Sequence, residues 1–137
     1  MAVTLTVRVE FEAAHRLHNP RRNESWNRRV FGKCANPRGH GHNYVLEIAV
    51  SGPVDPETGF VVDITRLKEI VRREVVDHVD HRHLNHDVPW LEGVIPTAEN
   101  LAAAFYRRLE PALPAGLRLV AVTVHETPRN AATYSPD

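Results

Sequence analysis

The chain reads as an α+β domain, one antiparallel sheet of four strands with two amphipathic helices laid on one face. Three observations predict it. Apolar residues alternate without a break from Val3 to Phe11, two later stretches carry apolar stripes at helical spacing, and the elements run β-β-α-α-β-β. At 137 residues a single domain spanning 1–137 is expected, long enough to bury a core but too short for two.

In the first strand Val3, Leu5, Val7, Val9 and Phe11 share one side, and Thr4, Thr6, Arg8 and Glu10 share the other. Ala13 and His15 keep the odd parity, which places His15 on the core side beyond Phe11. Residues 16–39, rich in Arg, Asn and Pro, read as a long loop with short helical turns around Glu24 to Val30. Loops of that length inside a compact domain usually carry function. Tyr44, Leu46, Ile48 and Val50 alternate in a second strand that ends at Gly52-Pro53.

Asp55-Pro56-Glu57-Thr58-Gly59 is a turn, and Asp63 is placed to cap a helix. Ile64, Leu67, Val71 and Val75 form its stripe, with Ile70 and Val79 beside it, so the helix is expected to reach about His78 to His81. Thr97 caps a second helix carrying Leu101, Phe105 and Leu109, with Glu99 in the first turn where the helix dipole favours a carboxylate. Pro111 and Pro114 stop it. Leu117 to Glu126 is a third strand with Val120, Val122, Val124 and Glu126 on one side, and Asn130 to Tyr134 is a short fourth.

Composition excludes several classes. The formal charge is zero and no basic patch is interleaved with aromatics, so neither nucleic acid nor a membrane surface is an expected partner. No apolar run approaches the roughly 20 residues of a membrane span, and the N-terminus lacks a signal-peptide pattern. A single cysteine cannot form an internal disulfide, which fits a reducing, cytoplasmic setting. Nine histidines, however, cluster.

The chemistry concentrates in Cys34-Ala35-Asn36-Pro37-Arg38-Gly39-His40-Gly41-His42-Asn43-Tyr44. His40 and His42 are two apart at the entry to a strand, so both imidazoles leave on the same side. If the first two strands pair antiparallel, His15 at the end of one lies beside His40 and His42 at the start of the other. Three imidazoles on one face are the ligand set of a catalytic zinc site, which keeps a position for substrate. Cys34 sits in a polar loop beside Lys33 and can be read as a reactive residue or as a passenger. Asp80-His81 and Asp77-His78 are equally good acid–imidazole pairs by composition. Glu126 ends an apolar alternation, either at the wet rim of the sheet or holding a ligand with N–H donors. Arg21, Arg22, Arg28 and Arg29 could meet phosphate, although a solvated loop is the simpler reading.

The segments Phe11-Glu12-Ala13-Ala14-His15-Arg16-Leu17, Phe31-Gly32-Lys33-Cys34 through Gly39-His40-Gly41-His42-Asn43-Tyr44, and Asp55-Pro56-Glu57-Thr58-Gly59 resemble the 6-pyruvoyl-tetrahydropterin synthase family. So do Val79-Asp80-His81-Arg82-His83-Leu84-Asn85, Pro96-Thr97-Ala98-Glu99-Asn100 and His125-Glu126-Thr127, in family order across nearly the whole chain. The resemblance implies the tunnelling fold, with trimers whose sheets join into a barrel and two trimers stacked as a hexamer. It implies a zinc ion on His15, His40 and His42, and Cys34 as catalytic base. Asp80-His81 is the catalytic pair in the family's Leu-Asp-His-x-x-Leu block, where Val79 here replaces Leu. That pair reaches the cysteine from a neighbouring subunit.

Glu126 resembles the glutamate that anchors the pterin, a role both catalytic and substrate-binding, and Thr97 with Glu99 the second pterin-contacting block. The implied substrate is 7,8-dihydroneopterin triphosphate, converted to 6-pyruvoyl-tetrahydropterin with loss of triphosphate. The family also includes the 6-carboxy-tetrahydropterin synthases of queuosine biosynthesis, which release acetaldehyde as well. Five residues separate Cys34 from His40, as in the pyruvoyl-forming enzymes, whereas many carboxy-forming ones have a shorter Cys-x-x-x-His-Gly-His. A zinc-stabilised structural module and a pterin-binding protein without lyase activity are the non-enzyme alternatives.

Overall fold

The alternation that opens the chain becomes strand β1, Val3–His15, in a computed structural model that describes residues 3–137. Its odd residues from Val7 to Ala13 are buried, and His15 is only 1% exposed. β1 pairs antiparallel along its whole length with β2, His40–Gly52, and the register sets His15 opposite His40 and Ala13 opposite His42.

Between them lies helix α1, Glu24–Phe31, where sequence suggested only short helical turns in a loop. The Asn23 side chain caps it by accepting from the Trp26 N–H at 2.8 Å. Buried Asn27 ties the preceding loop down, accepting from the Asn19 N–H and donating to the Asn19 carbonyl. A 3-10 turn, Gly32–Ala35, then leads towards β2.

Helix α2, Ile64–Val71, starts on Asp63, whose carboxylate accepts from the Thr65 N–H at 2.9 Å. The expected single helix is interrupted by a π-turn, Arg72–Val76, before α3, Asp77–Val79. The buried residues explain why. Leu67, Ile70 and Val71 face the core, and a regular helix would next bury Glu74, Val75 and His78. The wider turn delays the stripe by one residue, so Val75, Val76 and Val79 are buried instead. Ile64, expected on that stripe, is 48% exposed because it begins the first turn.

Strand β3, Arg82–His83, is a two-residue parallel partner of β1 that has no sequence signal. Helix α4, Ala98–Leu109, is capped by Thr97 as expected and buries Leu101, Phe105 and Leu109. β4, Arg118–Thr127, pairs with β2, and β5, Asn130–Tyr134, pairs with β4. Among the described residues the sheet has five strands in the order β3-β1-β2-β4-β5, one more than the four predicted.

The expected stripe on β4 is also corrected. The register slips between Ala49 and Val50, leaving Val120 as an extra residue, so Leu119 faces the core with Val122 and Val124. A second slip between His125 and Thr127 leaves Glu126 without a partner on β5. One hydrophobic core joins the inner face of the sheet to α2, α3 and α4. No helix among the described residues is long and apolar enough to cross a membrane.

Candidate active site

Register alone brings the three imidazoles together. One nitrogen from each of His15, His40 and His42 lies within 4.8 Å of the others, and among the described residues this is the one such group of possible metal ligands. His15 Nε2 is 3.2 Å from His40 Nε2. The other His15 nitrogen, Nδ1, is 2.8 Å from the Pro96 carbonyl and 3.3 Å from the Tyr44 hydroxyl. A carbonyl accepts only from Nδ1–H, so the lone pair is left on Nε2, towards the cluster.

Burial holds His15 and His42 below the ordinary imidazole range, which keeps both rings neutral near pH 7. His42 Nε2 is buried and has no hydrogen-bond partner in the protein. A buried nitrogen lone pair facing two others, with a carboxylate nearby, fits a divalent cation.

That carboxylate is Glu126, whose oxygens lie 3.9 Å from His15 Nε2 and 3.8 Å from His42 Nε2. Its place at the β4 bulge sets the side chain at the rim of the cluster, 25% exposed, without joining the group of three. Glu126 also lines a cavity of about 450 Å³ together with Thr97, Ala98 and Glu99 from the start of α4 and Ala131 of β5. The three residues expected to meet substrate therefore share one wall. Burial, and then the Glu126 charge, push the neighbouring Tyr44 hydroxyl above its ordinary pKa.

Gly39 makes the approach of the two strands possible. Its φ is +76°, and a Cβ there would lie 2.8 Å from the His15 carbonyl oxygen and 2.9 Å from His83 Nε2. Cys34 is half-buried on the 3-10 turn, which is stitched to the chain just beyond His15: Leu17 N–H donates to the Cys34 carbonyl and Arg16 Nε to the Ala35 carbonyl, both at 2.8 Å. Cys34 stands outside the group of three imidazoles.

The two acid–imidazole pairs differ in geometry. Asp80 Oδ1 is 3.0 Å from His81 Nδ1, whereas His78 turns its Nε2 to the Arg73 carbonyl at 3.1 Å. The Glu12 N–H donates to Asp80 Oδ1 at 2.9 Å, and this bond, with help from His81, lowers the Asp80 pKa. Leu84 N–H donates to the Ala14 carbonyl, and the Asn85 side chain bonds both the N–H and the carbonyl of Arg16. The segment bearing the pair is thus stitched along the end of β1. Sequence reasoning missed two partners here, the Pro96 carbonyl behind His15 and Glu12 beside His81. A backbone carbonyl 81 positions away leaves no trace in a pattern.

The family model for 6-pyruvoyl tetrahydropterin synthase matches residues 4–137. The chain is 43% identical over 124 residues to the 6-pyruvoyl tetrahydrobiopterin synthase of Poecilia reticulata, covering 90% of this chain and 84% of that one. It is 37% identical over 121 residues to a probable 6-carboxy-5,6,7,8-tetrahydropterin synthase of Halobacterium salinarum, covering 77% and 74%. The solved structure of Caenorhabditis elegans 6-pyruvoyl tetrahydropterin synthase superposes with a TM-score of 0.92 at 40% identity, over 100% of this chain and 97% of that one. With its sheet order, its imidazole cluster and these relatives, the chain belongs to the 6-pyruvoyl tetrahydropterin synthase family.

Proposed function

We propose that the protein is a zinc-dependent lyase that converts 7,8-dihydroneopterin triphosphate to 6-pyruvoyl-tetrahydropterin, eliminating triphosphate. The observation that carries this reading is the convergence of His15, His40 and His42 beside a cavity walled by Glu126, Thr97 and Glu99. The imidazoles would hold zinc, which when bound supplies Lewis-acid polarisation of the substrate's side-chain oxygens.

The chain's own groups do the rest. Glu126 offers two acceptor oxygens to the paired N–H donors of the pterin's aminopyrimidine edge, which fixes the ring's orientation. Thr97 and Glu99 line the same wall. Cys34 takes the proton from the side-chain carbon, and His81, held by Asp80, returns one as the double bond moves. Triphosphate then leaves by elimination, with no net oxidation and no redox cofactor. Residues 1–137 form one catalytic unit working in a cytoplasmic homo-oligomer, two stacked trimers whose sheets close into barrels.

The Halobacterium relative supports a second reading, the 6-carboxy-tetrahydropterin synthase of queuosine biosynthesis. One experiment separates the two. Zinc-loaded protein is incubated with dihydroneopterin triphosphate and the products are identified by mass. A pyruvoyl pterin with triphosphate is expected; a carboxy pterin with acetaldehyde transfers the assignment to the second reading; no consumption of substrate rejects both.

A further inference from the structure

Glu12 has no part in the reading above, yet it touches the Asp80–His81 pair three times. Its N–H donates to Asp80 Oδ1 at 2.9 Å, its carbonyl accepts from the His81 N–H at 2.6 Å, and its carboxylate Oε2 lies 3.4 Å from His81 Nε2. With Asp80 Oδ1 3.0 Å from Nδ1, the imidazole has a carboxylate at each nitrogen. His81 is held at φ +60°, the one non-glycine residue among those described with positive φ, and such conformations persist where the surroundings over-determine them.

We propose that Glu12 is a positioning residue for His81: its carboxylate holds the ring by Nε2 while Asp80 holds it by Nδ1, so that the ring waits in one orientation for substrate. The inference rests on the assignment of His81 as the group that returns the proton. Nε2 is the nitrogen that Asp80 leaves free, hence the one that must exchange a proton with a ligand. His81 is 74% exposed and Glu12 62%, so an ion pair between them adds little to stability. What it can do is restrict the rotamers of an otherwise unpacked ring and yield Nε2 when a better partner arrives. The two residues together border two cavities, of about 500 and about 430 Å³, where a ligand can reach them. The other charged or titratable groups lining those cavities are Glu10, Tyr44, Asp80, Arg82, His42 and His83.

Substitution at Glu12 leaves both backbone bonds in place and tests the carboxylate alone. In the zinc-loaded oligomer, Glu12→Ala should lower kcat about tenfold with KM, metal content and Tm unchanged, the scale of loss for a misoriented group. Glu12→Gln keeps an acceptor oxygen and should stay within about threefold of the parent. In a His81→Ala background the Glu12→Ala change should have no further effect, since it acts through the ring. Crystals of the parent should show Nε2 on the Glu12 carboxylate, and those of Glu12→Ala a ring that has left its place. Unchanged kcat in Glu12→Ala, an equal loss in the His81→Ala background, or a parent crystal with Nε2 turned away overturns the proposal. A parent that consumes no substrate, with both crystal results as expected, refutes the lyase reading and leaves Glu12 as the group that orients the His81 ring, with no proton return for it to serve.

Discussion

Burial holds the His15 imidazole below its ordinary pKa of 6.5, and the Pro96 carbonyl and the Glu126 charge offset this only in part. His42 is lowered by the same cause. In the unfolded chain both rings take up protons at the ordinary value, so folding to the neutral form is favoured above it. The resulting stability is fully present above pH 6.5 and is lost as pH falls through the folded values. Urea midpoints of the metal-free protein should therefore fall between about pH 7 and about pH 5. Protons also compete with a bound metal for the same lone pairs, so the metal should be released as pH falls. His42→Ala should leave the protein with almost no bound metal at neutral pH. Glu126 is the residue to contrast with it. Glu126→Gln should keep the metal, because the carboxylate stands outside the imidazole group, and should lower kcat/KM about a hundredfold by losing a charged two-point contact. If Glu126→Gln loses the metal as His42→Ala does, Glu126 is a fourth ligand and the site is structural.

At the scale of elements, the approach of β1 and β2 depends on Gly39. Gly39→Ala would drive a methyl group against the His15 carbonyl, which the β1 ladder holds in place, and would do so at φ +76°. The expected cost is about 1–2 kcal/mol or more, read as a lower Tm together with weaker metal binding. The π-turn makes a separate prediction. Widening one turn frees carbonyls, and the Arg108 Nε donates to the Glu74 carbonyl at 3.1 Å while its guanidinium lies 4.7 Å over the Trp90 ring. Arg108→Met should cost about 1 kcal/mol and a few degrees of Tm, with metal content unchanged. The same elements show what a sequence can say. The alternation from Val3 to His15 names the inner face of β1, and with antiparallel pairing it puts His15 beside His40 and His42. Thr97 and Asp63 announce their helices because a cap is a local hydrogen bond. Arg82–His83 has no alternation to reveal it, being held by backbone bonds to β1. The π-turn left only a faint sign, the slip of apolar residues from Val75 to Val76 and Val79, which fits the flank of a regular helix almost as well. The bulge that sets Glu126 against the cluster depends on register with β5, and strand parity alone cannot show it.

Over the whole molecule, the sheet separates two sets of groups. Odd residues of β1 turn inward, so His15 lies with the core and the imidazole cluster, while Glu12 points to the other face and His81 with it. Both edges of the sheet, β3 and β5, have a free side among the described residues. If the family's barrel forms, each His81 serves a cluster on a neighbouring protomer, and the site is divided between chains. Division of labour has a signature that no single-chain site can give. Cys34→Ala and His81→Ala should each cut turnover to a small residual rate, and each should still fold and bind metal, since neither residue belongs to the imidazole group or to the core. Unfolded together in equal amounts and refolded, the two variants should regain activity, because some sites then draw an intact cysteine from one chain and an intact histidine from the other. Random mixing makes roughly a quarter of the sites whole, whatever the number of subunits in the ring. Each variant refolded alone should stay at its residual rate. A mixture that remains silent, with mixed oligomers confirmed by native mass spectrometry, would mean that Cys34 and His81 act within one protomer.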